Sequence, residues 1–142
     1  MRITPNPEGV GARVEGVDLS QPLSDGDFRT ILRALGGRGV LCFPGQSLDA
    51  EQLSAFGSRF GQLEHNVANS FHAPGRPEVM VLSNMKEDGK PVGLNDAGQG
   101  WHTDMSYSEE IALANVLHAK RVPVRDGRPL GDTQFRDMHA AY

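Results

Sequence analysis

Glycine and proline interrupt this chain so often that long helices are excluded over most of it. Its 142 residues include 17 Gly and 9 Pro, a density that favours turns, short strands and loops. Two stretches escape the punctuation. Ser24-Asp25-Gly26-Asp27 reads as a helix start, with Ser24 as cap and acids in the first turn. Phe28, Ile31, Leu32 and Leu35 then recur at helical spacing and make one apolar stripe, which Gly36-Gly37 is expected to stop. A second helix is expected from near Ser47 or Asp49. Leu53, Phe56 and Phe60 share its face, and Gly61 ends it.

The rest reads as strands and connections. Val10 to Val17 alternates loosely, as an opening strand does. Gly39 to Phe43 is a short apolar run, read as a buried strand that Pro44-Gly45 turns. Cys42 lies in that run and is expected to be a buried core thiol. Val79 to Leu82, Ile111 to Ala119 and Gln134-Phe135 are further strand candidates. Val122 to Arg128 is a connection, and Asp137 to Tyr142 begins a helix. Residues 85 to 100 form a long loop rich in Gly, Asp, Asn and Lys, a length that is usually functional. No repeat or linker divides the chain, so residues 1–142 are expected to form part of one domain.

Charge and composition exclude several classes. The formal net charge is −4, with Lys and Arg scattered rather than clustered, so no nucleic-acid partner is expected. No apolar run approaches the roughly 20 residues of a membrane span. Met1 to Gly11 lacks an apolar signal core, so a cytoplasmic location is expected. The single cysteine rules out an internal disulfide.

The chemistry concentrates at His102-x-Asp104. On a strand, residues two apart face the same side, which would bring an imidazole and a carboxylate to one point. That donor pair suits Fe(II) held by two His and one carboxylate, with the opposite positions open. The plainer reading is an exposed His and Asp flanking a turn. Context favours the metal: Trp101 precedes the pair, the glycine-rich loop leads into it, and Met105-Ser106-Tyr107 would continue the strand.

Trp101-His102-Thr103-Asp104-Met105-Ser106-Tyr107 resembles the first iron-binding motif of the TauD/TfdA family of taurine-dioxygenase-like enzymes. Other segments resemble that family in the same order. They are Gly9 to Leu19, then Gly39-Val40-Leu41-Cys42-Phe43-Pro44-Gly45-Gln46, then Phe56-Gly57 through Phe60-Gly61-Gln62-Leu63-Glu64, and finally Gly131-Asp132-Thr133. The resemblance implies a mainly β fold with flanking helices, a double-stranded β-helix or jelly roll, incomplete in this chain. It implies Fe(II) as cofactor, 2-oxoglutarate as cosubstrate, and dioxygen and a small organic sulfonate or carboxylate as further reactants. Succinate and CO2 would be the co-products. His102 and Asp104 match the first two iron ligands, and Thr133 matches the threonine that hydrogen-bonds a 2-oxoglutarate carboxylate. His65 or Asn66, with Asn95, fall where substrate contacts are expected. Trp101 and Tyr107 are expected to line the pocket or fill the core.

The family's third ligand, a histidine, and the arginine that pairs with 2-oxoglutarate lie far downstream of the motif and are not in this sequence. The chain therefore reads as roughly the first half of such an enzyme, with residues 85 to 100 as a candidate lid. His118 is expected on the barrel wall and His139 on a helix surface. Two alternatives stay open. One is a non-catalytic fragment that folds by association with itself or a missing half. The other is a small cupin-like metal protein whose site is completed by His65 or His72.

Overall fold

A computed structural model describes residues 1–65, 71–95 and 97–142. The chain divides into two compact units, Met1–Ser47 with His118–Tyr142, and Leu48–Leu117.

The first unit is built on a three-stranded sheet. Strand β1 (Arg2–Pro5) runs antiparallel to β2 (Ala12–Glu15), and β2 pairs in parallel with β3 (Leu41–Cys42). A parallel pair needs a crossover, and helix α1 (Asp25–Arg38) supplies it and packs on β3. Alternation along β2 buries Ala12 and Val14 and exposes Arg13. With Leu19, Phe28 and Ile31 they form the apolar core of this unit. Ile31 is fully buried, worth about 1.5–3 kcal/mol relative to an exposed side chain.

Helix α1 starts as expected. The Ser24 hydroxyl accepts from the Asp27 N–H and caps the first turn. It ends later than the sequence suggests. Gly36 and Gly37 stay helical, and the left-handed residue is Gly39 (φ 73°), whose N–H closes on the Leu35 carbonyl. The expected stripe is also narrower, because Phe28 and Ile31 are buried while Leu32 is exposed.

Cys42 corrects the expected core thiol. It is exposed, on a two-residue strand at the edge of its sheet. It lines an open cavity of about 640 Å³ together with Thr4, Asn6, Val10, Thr133 and Phe135. The loop after β3 is fixed by Gln46. Its side-chain Oε1 accepts from the Leu19 N–H (2.8 Å), and its Nε2 donates to the Val17 carbonyl (3.0 Å). One amide thus stands in for a paired strand.

In the second unit, helix α2 (Ala50–Ser58) opens with a capping box between Asp49 and Gln52. It packs on β5 (Arg76–Met80), which pairs with β4 (His72–Ala73). Ser54 and Phe56 are its buried residues, and Phe56 meets Phe60 edge-to-face at 5.3 Å. A Cβ on Gly57 would come within 3.2 Å of Leu63 Cδ2, so the F-G-x-x-F-G-x-L pattern has a packing reason.

The long loop is not structureless. It holds a hairpin of β6 (Lys86–Glu87) and β7 (Lys90–Pro91). Its turn residues, Asp88 and Gly89, both have positive φ, the pattern of a type I′ turn. In the first unit β8 (Val124–Arg125) and β9 (Arg128–Pro129) repeat this device at Asp126-Gly127.

Two expected strands do not form. Residues 111–119 and 134–135 are irregular, and Ile111, Leu113 and Leu117 are exposed. A strand exists only with a partner to complete its ladder, and no described strand pairs with either segment. Among the described residues the sheets are small and no barrel closes, so the architecture is mixed helix and strand rather than a finished jelly roll. His118 is accordingly not on a barrel wall. It is half-buried, with Nε2 3.3 Å from the Gln46 carbonyl. His139 is exposed on the short α3 (Met138–Ala141), which Asp137 caps.

Candidate functional site

His102 and Asp104 do come together, though not on a strand. Residues 101–103 are irregular and 104–107 form turns. Met105 adopts a left-handed conformation (φ 57°), uncommon for a residue with a Cβ. The bend brings the His102 Nε2 to 3.3 Å from the Asp104 Oδ1. Both side chains are about half exposed.

Hydrogen bonding decides what this pair can bind. His102 Nδ1 lies 2.7 Å from the Gly100 carbonyl oxygen. A carbonyl only accepts, so Nδ1 carries the proton. In the neutral ring Nε2 then presents a lone pair, and that lone pair faces a carboxylate oxygen. Two electron-rich atoms at this distance call for a cation between or beside them, either a proton or a metal ion. Two donor atoms bound at about 2.1 Å and at right angles on one ion stand about 3.0 Å apart. The 3.3 Å separation therefore fits neighbouring positions on a metal. A backbone carbonyl holding the far nitrogen is the usual way to fix the ring of a metal-ligating histidine. Gly98 (φ 74°) leaves space beside it, since a Cβ there would stand 3.4 Å from His102 Cε1.

Of the other predicted residues, those described in the second unit are not bonded to the pair. His65, Asn95 and Tyr107 are exposed, and among the described residues no hydrogen bond or ion pair joins them to His102 or Asp104. Tyr107 is 87% exposed and Trp101 66%. Neither fills a core, because the chain turns at Asp104 instead of continuing as a strand. Asn66 lies outside the described residues. Thr133 belongs to the first unit, exposed at the cavity that Cys42 also lines. No group of three or more His, Cys, Asp and Glu residues able to hold a metal occurs among the described residues, so neither His65 nor His72 completes one with the pair.

One residue at the site carried no signal in the sequence. Asn115 Nδ2 donates to Asp104 Oδ2 at 2.9 Å. It belongs to no motif and stands eleven positions from its partner.

Comparison with known proteins identifies the family of the chain. Residues 2–142 match the family described as taurine catabolism dioxygenase TauD, TfdA family, and the chain belongs to it. It is 34% identical to pentalenolactone F synthase of Streptomyces arenae, over 100% of this chain and 48% of that protein. It is 37% identical to the alpha-ketoglutarate-dependent 2,4-dichlorophenoxyacetate dioxygenase of Cupriavidus pinatubonensis, over 92% of this chain and 48% of the relative. Among solved structures, a taurine dioxygenase from Burkholderia xenovorans superimposes with a TM-score of 0.50 at 32% identity, covering 54% of this chain and 27% of that one. The chain spans about half the length of the relatives it matches.

Proposed function

We propose that this chain supplies two of the three protein ligands of a mononuclear Fe(II) site, His102 and Asp104, in a 2-oxoglutarate-dependent dioxygenase acting on a small organic acid. The observation that carries the reading is the orientation of His102. Its Nδ1 is committed to the Gly100 carbonyl, and its Nε2 faces the Asp104 carboxylate at 3.3 Å. Such an arrangement is pre-set for a cation, and the donor set of one imidazole and one carboxylate suits iron.

When bound, Fe(II) with 2-oxoglutarate supplies oxidation of a substrate carbon by dioxygen, coupled to decarboxylation of 2-oxoglutarate to succinate and CO2. The residues of this chain hold and orient. His102 contributes a neutral nitrogen and Asp104 one negative charge, so the pair offsets part of the ion's charge and leaves the opposite side open. Thr133 is the proposed hydroxyl partner of a 2-oxoglutarate carboxylate. A carboxylate-type substrate is favoured because relatives are named for 2,4-dichlorophenoxyacetate and (S)-phenoxypropionate. The sulfonate alternative is supported by more distant relatives named as sulfonate dioxygenases, at 27% and 28% identity.

The test is anaerobic titration with Fe(II), followed by 2-oxoglutarate. We expect saturable Fe(II) binding that Asp104→Ala and His102→Ala each abolish. A visible charge-transfer band on adding 2-oxoglutarate would show that the cosubstrate chelates the ion in this chain. Unchanged Fe(II) affinity in either alanine variant overturns the assignment.

A further inference from the structure

We infer that Asn115 is a positioning residue that holds the Asp104 carboxylate to one-oxygen coordination. The inference rests on the ligand reading above and assigns a role to a residue outside the family's motifs.

A carboxylate has two equivalent oxygens and rotates freely when exposed. Asp104 is 56% exposed, so burial does not hold its side chain. Its two oxygens nevertheless have different partners. Oδ1 stands 3.3 Å from His102 Nε2, while Oδ2 accepts from Asn115 Nδ2 at 2.9 Å. The amide therefore occupies one oxygen and leaves the other aimed at the place a cation would take.

The identity of the donor matters. An amide N–H binds a carboxylate oxygen without carrying a charge of its own. A Lys or Arg there would cancel the negative charge and repel the metal. A hydrophobic residue would leave both oxygens free, and the carboxylate could then close on the ion in a two-oxygen mode. That mode takes a second coordination position, one that a chelating cosubstrate or dioxygen would otherwise use. By holding Oδ2, Asn115 keeps the carboxylate to a single position.

The bond also reaches across the chain. Asn115 lies in the irregular segment at 111–119, and Asp104 lies in the turn at 104–107. Their contact joins two exposed segments that no strand pairing links. Partners of metal ligands placed in this way typically contribute 10–100-fold to metal affinity.

The experiment uses Co(II) as the probe and the chain as it stands. Binding is read from the paramagnetic shift of the His102 ring resonances, so other histidines do not count. Wild type, Asp104→Ala, Asn115→Leu and Asn115→Gln are compared, with circular dichroism to confirm that each is folded. Asp104→Ala is expected to abolish the shift. Asn115→Leu is expected to weaken Co(II) binding about 10-fold or more, because the ion must then order a carboxylate that no bond holds in place, and Asn115→Gln, which keeps an amide donor, to restore part of the loss. Wild-type affinity in a folded Asn115→Leu overturns the inference while leaving the ligands in place. A shift that survives Asp104→Ala, or none in wild type, overturns the ligand reading and the inference with it. The carboxyl 13C resonance of Asp104, recorded without metal, gives a second readout. It should move in Asn115→Leu and return toward wild type in Asn115→Gln, and an unmoved resonance in Asn115→Leu also overturns the inference.

Discussion

Replacing Gln46 tests whether one side-chain amide holds the first unit's loop together. Gln46 Oε1 accepts from the N–H of Leu19, and Nε2 donates to the Val17 carbonyl. Leu19 is 6% exposed, so water cannot readily replace its lost acceptor. Val17 is half-buried, and its carbonyl can recover part of its bonding from solvent. Gln46→Leu keeps the approximate size and removes both bonds. Stranding a buried donor costs about 1–3 kcal/mol, and losing an ordinary bond about 0.5–1.5 kcal/mol. The sum is about 3 kcal/mol. With a urea slope of about 1.5 kcal/mol/M, the midpoint should fall by about 2 M, followed by far-UV circular dichroism. Gln46→Glu separates the two bonds. It keeps the acceptor for Leu19 but, when ionised, cannot donate to Val17. Only the protonated acid donates, so the folded state raises this carboxyl's pKa. The stability it adds is present below the unfolded value, about 4.3, and is lost as pH rises through the folded value. The Glu variant should therefore approach wild type in acid and fall behind it at neutral pH. A midpoint shift under about 0.3 M for Gln46→Leu, or a Glu variant whose deficit ignores pH, refutes the reasoning.

Two further outcomes follow from the second unit. Gly93 lies against backbone, since a Cβ there would stand 2.8 Å from both Ser83 N and Val81 O. Gly93→Ala should cost about 2 kcal/mol and speed amide exchange at Leu94 and Ser83, which bond to Val81 and Leu94; unchanged protection there would refute it. Glu78 accepts from the Ser54 hydroxyl at 2.7 Å, and that bond, with its own backbone N–H and the nearby Arg76 and His65 charges, holds its carboxyl below the ordinary range. A depressed carboxyl adds stability above its unfolded pKa and loses it as pH falls through the lower folded value. Ser54→Ala should thus weaken the chain at pH 6–7, with the deficit shrinking below about pH 4; a pH-independent deficit would show that the hydroxyl acts through packing alone.

What the sequence determined by itself is what neighbouring residues settle between them. Ser24 caps α1 through Asp27, and Asp49 and Gln52 box the start of α2, all within three positions. His102 and Asp104 were legible as a pair because only one residue separates them, although a turn at Met105 and not a strand brings them together. Both Asp-Gly hairpins use dipeptides suited to positive φ, although their stretches read only as a loop and a connection. Tertiary structure decided the rest. The sequence pattern of residues 111–119 suits a strand, but a ladder needs a partner and none among the described residues provides it. Cys42 has a core thiol's neighbours in sequence, yet it stands exposed on an edge strand. Gln46 reaches Leu19 across 27 positions and Asn115 reaches Asp104 across eleven. Such bonds depend on where the chain returns in space, and no local spacing encodes that return.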